Sequence, residues 1–128
     1  IDVNGFFIVG YPTETKETIL DTIRFAKKLP LKRAHFSTFL PLPGTEATKL
    51  AASLGLIKNL HWDSLFYTDA PCPPQGLTSS ELKALQRKAF FEFYLRPKQL
   101  FWLAKEVKSW EHFKSLARRG WDYAFGRF

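Results

Sequence analysis

The side chains that could carry chemistry are few and lie far apart in the sequence. The three histidines, His35, His61 and His112, are distant from one another and from the single cysteine, Cys72. A helical metal site would need a second ligand three or four residues away, and none of the three histidines has one. Each is therefore interpreted as an ordinary strand, loop or surface residue. Because no basic residue flanks Cys72 to lower its pKa, nucleophilic catalysis by this thiol is not expected.

The best candidate for a ligand site is the stretch Gly5-Phe-Phe-Ile-Val-Gly10-Tyr-Pro-Thr-Glu14-Thr15. Its four consecutive apolar residues, Phe6 to Val9, predict a strand that is buried on both faces, as in a parallel sheet. Ligands bind at the carboxyl ends of such strands, which is where Gly10 to Glu14 would lie. A phosphate cradle is not expected, because Pro12 lacks an N–H and there is neither a GxGxxG motif nor a Walker lysine. An apolar wall for a flat ligand is the favoured interpretation.

The elements that must position this turn follow from the spacing of the apolar residues. Strands are predicted over residues 3–9 and 33–40, and helices over residues 14–29 and about 45–54. Because a helix connects the two strands, the pair is predicted to be parallel with a right-handed connection. One face of the second strand is predicted to carry Ala34, Phe36, Thr38 and Leu40, and the other His35, Ser37 and Phe39. The layout is therefore β-α-β-α.

A long proline-rich loop and a helical tail are predicted to follow. Thr78 and Glu81 form a capping box, with Leu82, Leu85, Ala89 and Phe93 as the inner stripe of the helix. Pro97 is placed to open the next helix, whose inner stripe would be Leu100, Leu103, Ala104 and Val107. Ser109 is expected to cap a last helix.

The composition predicts a folded domain with an unevenly placed positive charge. The chain has 128 residues, 45% of them hydrophobic, with one cysteine and a net charge of +7. Up to Gly76 the chain has eight Lys and Arg residues against seven Asp and Glu residues. From Leu77 onward it has eleven against five. The single cysteine excludes a disulfide framework and suits a reducing cytoplasm. Because the chain has no Met and begins at Ile1 directly before a strand, we expect it to be a piece of a longer protein.

The basic tail suggests one function from the residues alone. Arg118 and Arg119 lie close to Trp121, Tyr123 and Phe125, and such a mixture can bind phosphates and stack bases. A solvated helix face is the favoured interpretation, because the basic residues alternate with core positions at helical spacing. A non-catalytic module, residues 78–128, that binds RNA or a protein partner is kept as the alternative function.

Several segments together resemble the radical S-adenosylmethionine enzymes, and most closely their cobalamin-associated group. The stretch from Gly5 is similar to the family's fifth-strand segment, which usually reads G-F-F-I-x-G-x-P-G-E-T. Four further segments resemble later parts of the family in the same order: Ile23-Arg-Phe-Ala26, Phe36-Ser-Thr-Phe-Leu-Pro-Leu-Pro-Gly-Thr45, Trp62-Asp63 and Phe93-Tyr-Leu-Arg-Pro97. Thr13 stands where the family usually has glycine, so a different turn is expected there.

The resemblance implies a fold and a cofactor site. The chain would be an α/β fragment of a (β/α) partial barrel with two parallel strands, followed by a mostly helical extension. Residues 1–55 would form the last part of the barrel, residues 56–77 a connecting loop and residues 78–128 the extension. Ile8, Gly10 and Glu14 would contribute to the adenine side of the S-adenosylmethionine site, and Phe39 and Leu40 would complete it.

The resemblance also implies what this chain lacks. The family's C-x3-C-x2-C ligands of the [4Fe-4S] cluster lie upstream, and nothing here replaces them, so this chain alone is not expected to be active. The parent enzyme would cleave S-adenosylmethionine for radical chemistry such as methylation or rearrangement, with cobalamin as a further cofactor that the resemblance suggests. Its partners would be the upstream part of the same protein and a small-molecule substrate. Open strand edges predict self-association unless the helical tail covers them.

Overall fold

The computed structural model describes residues 2–57 and 69–106, together with residues 114, 115 and 118. The elements are β1 (Asn4–Val9), α1 (Lys16–Lys28), β2 (Arg33–Thr38), α2 (Glu46–Ser53), α3 (Ser79–Tyr94) and α4 (Pro97–Glu106). Two parallel strands followed by helices confirm the predicted α/β class. The segment Trp62-Asp63, two of the histidines and most of the predicted last helix lie outside the described residues.

β1 and β2 form a parallel pair in which Gly5 lies opposite Ala34 and Val9 opposite Thr38. The N–H of Phe39 donates to the carbonyl of Val9 at 2.9 Å, which extends the pairing one residue beyond β2. Pro41 has no N–H to continue it, so β2 ends earlier than predicted. Both strands therefore end side by side, at the turn after β1.

α1 begins where its cap requires. The hydroxyl of Thr15 accepts the N–H of Thr18, and the hydroxyl of Thr18 accepts the N–H of Thr15, so the helix starts at Lys16. The predicted inner stripe is confirmed, since Ile19, Ile23 and Ala26 are buried.

Only one face of the sheet is covered in the described part of the chain. α1 and α3 pack on this face, and the core contains Val9, Phe36 and Phe93. On the opposite face Phe6 is 81% exposed and Ile8 is 60% exposed. The prediction that β1 is buried on both faces is therefore wrong within the described part of the chain. An apolar strand residue is buried only where a second layer covers it, and both helices pack on the same side.

α3 follows its sequence pattern closely. Thr78 is the N-cap, and its N–H donates to the Glu81 carboxylate at 2.8 Å. The predicted stripe is buried as expected: Leu82, Leu85, Ala89 and Phe93. Because α3 packs in the same core as the two strands and α1, the predicted helical extension begins inside that core. The division of the parent protein at residues 55 and 78 stays a prediction.

The side chains of α3 also close the outer edge of β2. The hydroxyl of Tyr94 donates to the carbonyl of Ala34 at 2.9 Å and accepts the Ala34 N–H at 3.2 Å. The buried Gln86 donates from Nε2 to the carbonyl of Phe36 at 2.8 Å. Ala34 and Phe36 alternate along β2, so their polar groups point to the side away from β1. These hydrogen bonds occupy the groups that another strand would need to pair there.

The two remaining helices differ in how well they follow prediction. α2 is capped by Thr45, and Gly55, which follows the helix, has a positive φ of +68°. α4 begins at Pro97 as predicted, but two members of its predicted stripe are not buried, because Leu100 is 47% exposed and Ala104 is exposed. The side chain of Leu103 and residue Val107 lie outside the described residues. Gln99 is buried instead, since its Nε2 donates to the carbonyl of Leu31 at 2.7 Å. No helix among the described residues is long and apolar enough to cross a membrane.

Candidate functional site

A carboxylate organises the turn after β1. Glu14 Oε2 accepts the N–H of Gly10 at 2.6 Å and the N–H of Tyr11 at 2.9 Å. The Glu14 N–H in turn donates to the carbonyl of Tyr11 at 2.8 Å. The carboxylate thus holds the N–H groups that a bound phosphate would need. Thr13 does not adopt a positive φ, because Ala70 is the one non-glycine residue that does so among those described.

Two features require glycine at position 10: its backbone conformation and the close approach of a neighbouring side chain. Its φ is +82°, a region that side chains disfavour. A Cβ placed on it would lie 2.5 Å from Cδ2 of Leu82, which belongs to α3. The turn therefore lies directly against the start of α3.

An open groove of about 440 Å³ lies beside this turn, at the carboxyl ends of the two strands. Its walls bring together three of the five predicted site residues, Ile8, Phe39 and Leu40. Gly10 and Glu14 are not in the lining. The other lining residues are Tyr11, Ser37, Thr38, Leu42, Thr45 and Ala47.

The groove is mostly apolar, and one wall is rigid. Phe39 is only 7% exposed, and it packs in a second buried cluster with Ala51 and Cys72. The ring of Tyr11 meets the ring of Phe39 edge to face, with centroids 5.6 Å apart and planes at 69°. Tyr11 was not predicted as a site residue. The signal for it was a large aromatic residue placed between the strand-ending glycine and a proline.

Two hydroxyls along the groove already make hydrogen bonds within the fold. The hydroxyl of Thr45 donates to the carbonyl of Leu42 at 2.9 Å. The Ser37 hydroxyl lies 3.4 Å from the carbonyl of Phe7, to which it donates. Apart from Tyr11, the lining residues that the structure describes carry no ionisable side chain. The described lining thus presents a mainly apolar surface and offers no acid–base pair.

The remaining chemical candidates lie away from the groove. His35 is exposed on the open face of the sheet, with its ring centroid 6.0 Å from that of Phe6. Cys72 is buried, its thiol lies 3.8 Å from the Leu56 carbonyl, and burial raises its pKa. A single cysteine cannot hold a [4Fe-4S] cluster by itself, because such a cluster takes several Cys thiolates. The described residues contain no group of three metal-ligating side chains.

Comparison with known proteins gives partial matches. No protein-family model matches the chain, and no solved structure matches it. An uncharacterised methyltransferase from Pyrococcus horikoshii is 40% identical over 96 residues, which are 75% of this chain and 21% of that protein. A tRNA-2-methylthio-N(6)-dimethylallyladenosine synthase from Psychrobacter is 38% identical over 50 residues, or 39% of this chain and 10% of that protein. A threonylcarbamoyladenosine tRNA methylthiotransferase from Aquifex aeolicus is 38% identical over 47 residues, which are 37% of this chain and 12% of that protein.

These matches place the chain beside proteins named for methyl and methylthio transfer. The chain spans about a fifth of the length of the first of them and less of the other two.

Proposed function

We propose that this chain is the C-terminal part of a radical S-adenosylmethionine enzyme that transfers a methyl or methylthio group. In this proposal its groove forms the adenine side of the cofactor site. The observation that carries it is the meeting of Ile8, Phe39 and Leu40 in one apolar groove at the ends of two parallel strands. The names of the three relatives favour group transfer over rearrangement.

The groove suits an adenine ring in size and polarity. Small-molecule sites commonly measure about 300–1,000 Å³ and are lined mainly by apolar side chains with few polar groups. The volume of about 440 Å³ lies in this range. Ile8 and Leu40 would contact the faces of a purine, while the buried Phe39 fixes the wall. Gly10 and Glu14 would serve the cofactor indirectly, by holding the turn beside it.

The reactive part of the site is assigned to other parts of the parent protein. S-adenosylmethionine, when bound here, would be the group that is reductively cleaved to start the radical chemistry, with the electron supplied by the upstream cluster. The residues of this chain bind and orient its ring and exclude water from it. Cys72 alone cannot hold a [4Fe-4S] cluster, so the cluster would be held upstream. Cobalamin belongs to this proposal through the resemblance alone, and a cytoplasmic location through the single cysteine.

The proposal also names where the rest of the protein joins. The outer edge of β2 is closed by Gln86 and Tyr94, so further strands would add at the outer edge of β1. The exposed apolar side chains of Phe6 and Ile8 lie on the uncovered face beside that edge. An upstream part of the same polypeptide would cover both.

The test is binding of S-adenosylhomocysteine to the full-length gene product, measured by calorimetry. We expect wild-type protein to bind and Ile8→Asp to weaken binding at least about tenfold, because a carboxylate would be buried against the ring. Phe25→Asp is the control, since Phe25 is 57% exposed on α1 and does not line the groove. Absence of binding by the wild-type protein would overturn the proposal. Formation of 5′-deoxyadenosine from S-adenosylmethionine under anaerobic reduction is the test of its radical part.

RNA binding by residues 78–128 is a second candidate, because two of the relatives are named for tRNA. From Leu77 onward the chain has eleven basic and five acidic residues, and this positive charge would attract the RNA phosphates. Filter binding of the full-length gene product to RNA should then weaken steeply with salt. A product that binds no RNA at low salt removes this candidate.

A further inference from the structure

Tyr11 lines the groove in addition to the apolar side chains of its wall, and it is 39% exposed. We propose that Tyr11 is a ligand-binding residue, forming with Phe39 an aromatic corner that packs a flat heteroaromatic ring. In this proposal Glu14 is the positioning residue that holds Tyr11 there. This inference rests on the proposed function and deepens it.

The backbone of Tyr11 is fixed on both sides by one residue. Its N–H donates to the Glu14 carboxylate at 2.9 Å, and its carbonyl accepts the Glu14 N–H at 2.8 Å. Pro12 follows and is buried, and a residue before proline is restricted to extended conformations. Tyr11 therefore reaches the groove on a turn with little freedom.

The two rings of the corner have different roles. Phe39 is 7% exposed, whereas Tyr11 is 39% exposed. The two rings meet edge to face, which is a geometry that aromatic pairs prefer. The buried ring of Phe39 thus supports the more exposed ring of Tyr11. The ring surface that a ligand can still cover therefore belongs mainly to Tyr11.

Glu14 reaches the ligand only through this turn. Its carboxylate does not line the groove, and its Oε2 is used by the N–H groups of Gly10 and Tyr11. Removing the carboxylate should release Tyr11 and leave the wall of Ile8 and Leu40 in place. The effects of changing Glu14 and Tyr11 should therefore overlap and not add.

The experiment is a double-mutant cycle on the full-length gene product, with S-adenosylhomocysteine as the probe. We expect Tyr11→Ala to weaken binding about fivefold or more, through the lost ring contact. Tyr11→Phe should keep the affinity within about twofold of wild type. Glu14→Ala should also weaken binding, and Tyr11→Ala/Glu14→Ala should bind about as well as Tyr11→Ala alone.

The outcomes separate this inference from the proposed function. If wild-type protein binds and Tyr11→Ala binds equally well, the assignment of Tyr11 is wrong and the cofactor site stands. If the two losses add fully, Glu14 does not act through Tyr11. Should Glu14→Ala fail to fold, Glu14→Gln, which keeps an acceptor oxygen, takes its place and should bind nearly as wild type. A wild-type protein without affinity defeats the proposed function itself.

Discussion

At the residue scale, the turn after β1 depends on a glycine used for two reasons at once. Gly10 has a positive φ, and its missing side chain leaves room for Leu82. Gly76 has nearly the same φ, +81°, but nothing lies within 4 Å of where its Cβ would be. A side chain at either glycine would meet the same backbone strain, but only at Gly10 would it also meet a steric contact.

We predict that Gly10→Ala lowers the free energy of unfolding more than Gly76→Ala. Positive φ costs a non-glycine residue about 1–2 kcal/mol, and this applies to both variants. Gly10→Ala should lose about 1–3 kcal/mol more, as is typical when atoms are forced into a packed site. Guanidinium unfolding of both variants measures the difference, and equal losses would contradict the role given to Leu82.

The sequence could predict the location of the candidate site but not the role of each residue in it. Ile8, Phe39 and Leu40 share the groove because parallel strands bring their carboxyl ends together, which the β-α-β pattern already implies. Glu14 was expected on the adenine side of the cofactor site, and in the structure its carboxylate accepts the N–H groups of Gly10 and Tyr11. Nothing in one sequence distinguishes a carboxylate that meets a ligand from one that meets a backbone N–H.

At the scale of the elements, α3 stabilises β2 through polar side chains as well as through its apolar stripe. Gln86 is 4% exposed and donates to the carbonyl of Phe36. Helical spacing predicted the apolar members of the stripe, because burial of apolar residues follows the 3.6-residue period. It could not reveal Gln86, or Gln99 in α4, because a buried amide is recognisable only from the carbonyl it meets.

We predict that Gln86→Leu lowers the free energy of unfolding by about 1–3 kcal/mol, because the buried carbonyl of Phe36 loses this donor. Ala84→Leu introduces the same side chain at an exposed position of α3 and should change the free energy of unfolding by less than about 0.5 kcal/mol. Chemical denaturation of the two variants compares them directly. A Gln86→Leu variant as stable as wild type would show that this hydrogen bond contributes nothing net.

Tyr94 should make the stability of the fold fall in alkali. Burial raises the pKa of its hydroxyl, against the smaller lowering effects of its hydrogen bond with Ala34 and of Arg33. Since the folded pKa exceeds the unfolded value of about 10, this contribution is complete below about pH 10 and is lost as the pH rises through the folded pKa. Denaturation midpoints between pH 8 and 11 should fall less steeply for Tyr94→Phe than for wild type. Parallel curves would exclude Tyr94 as the cause.

At the scale of the whole molecule, the sheet is closed on one side and open on the other. Its outer edge at β2 is occupied by α3, while the face carrying Phe6 and Ile8 is uncovered in the described part of the chain. The continuous apolar run of β1 predicted burial on both faces. Among the described residues that prediction is wrong, because α1 and α3 both pack on the other face of the sheet.

We predict that the isolated chain self-associates, because its exposed apolar strand can bury surface against a second copy. Sedimentation velocity should show a concentration-dependent rise in mass. Phe6→Lys/Ile8→Lys should shift the chain toward monomer, and Phe25→Lys, on an exposed part of α1, should not. A monomer at all concentrations would contradict this prediction.

The closure of β2 by α3 also fixes an order of events during protein synthesis. Tyr94 lies 60 residues after Ala34, and Gln86 lies 50 residues after Phe36. At a synthesis rate of about 5–20 residues per second, the ribosome adds these 60 residues in about 3–12 s. For that interval β2 has been translated but its covering helix has not. A nascent chain stalled within it would present an unsealed strand, so chaperone capture should concentrate on this window.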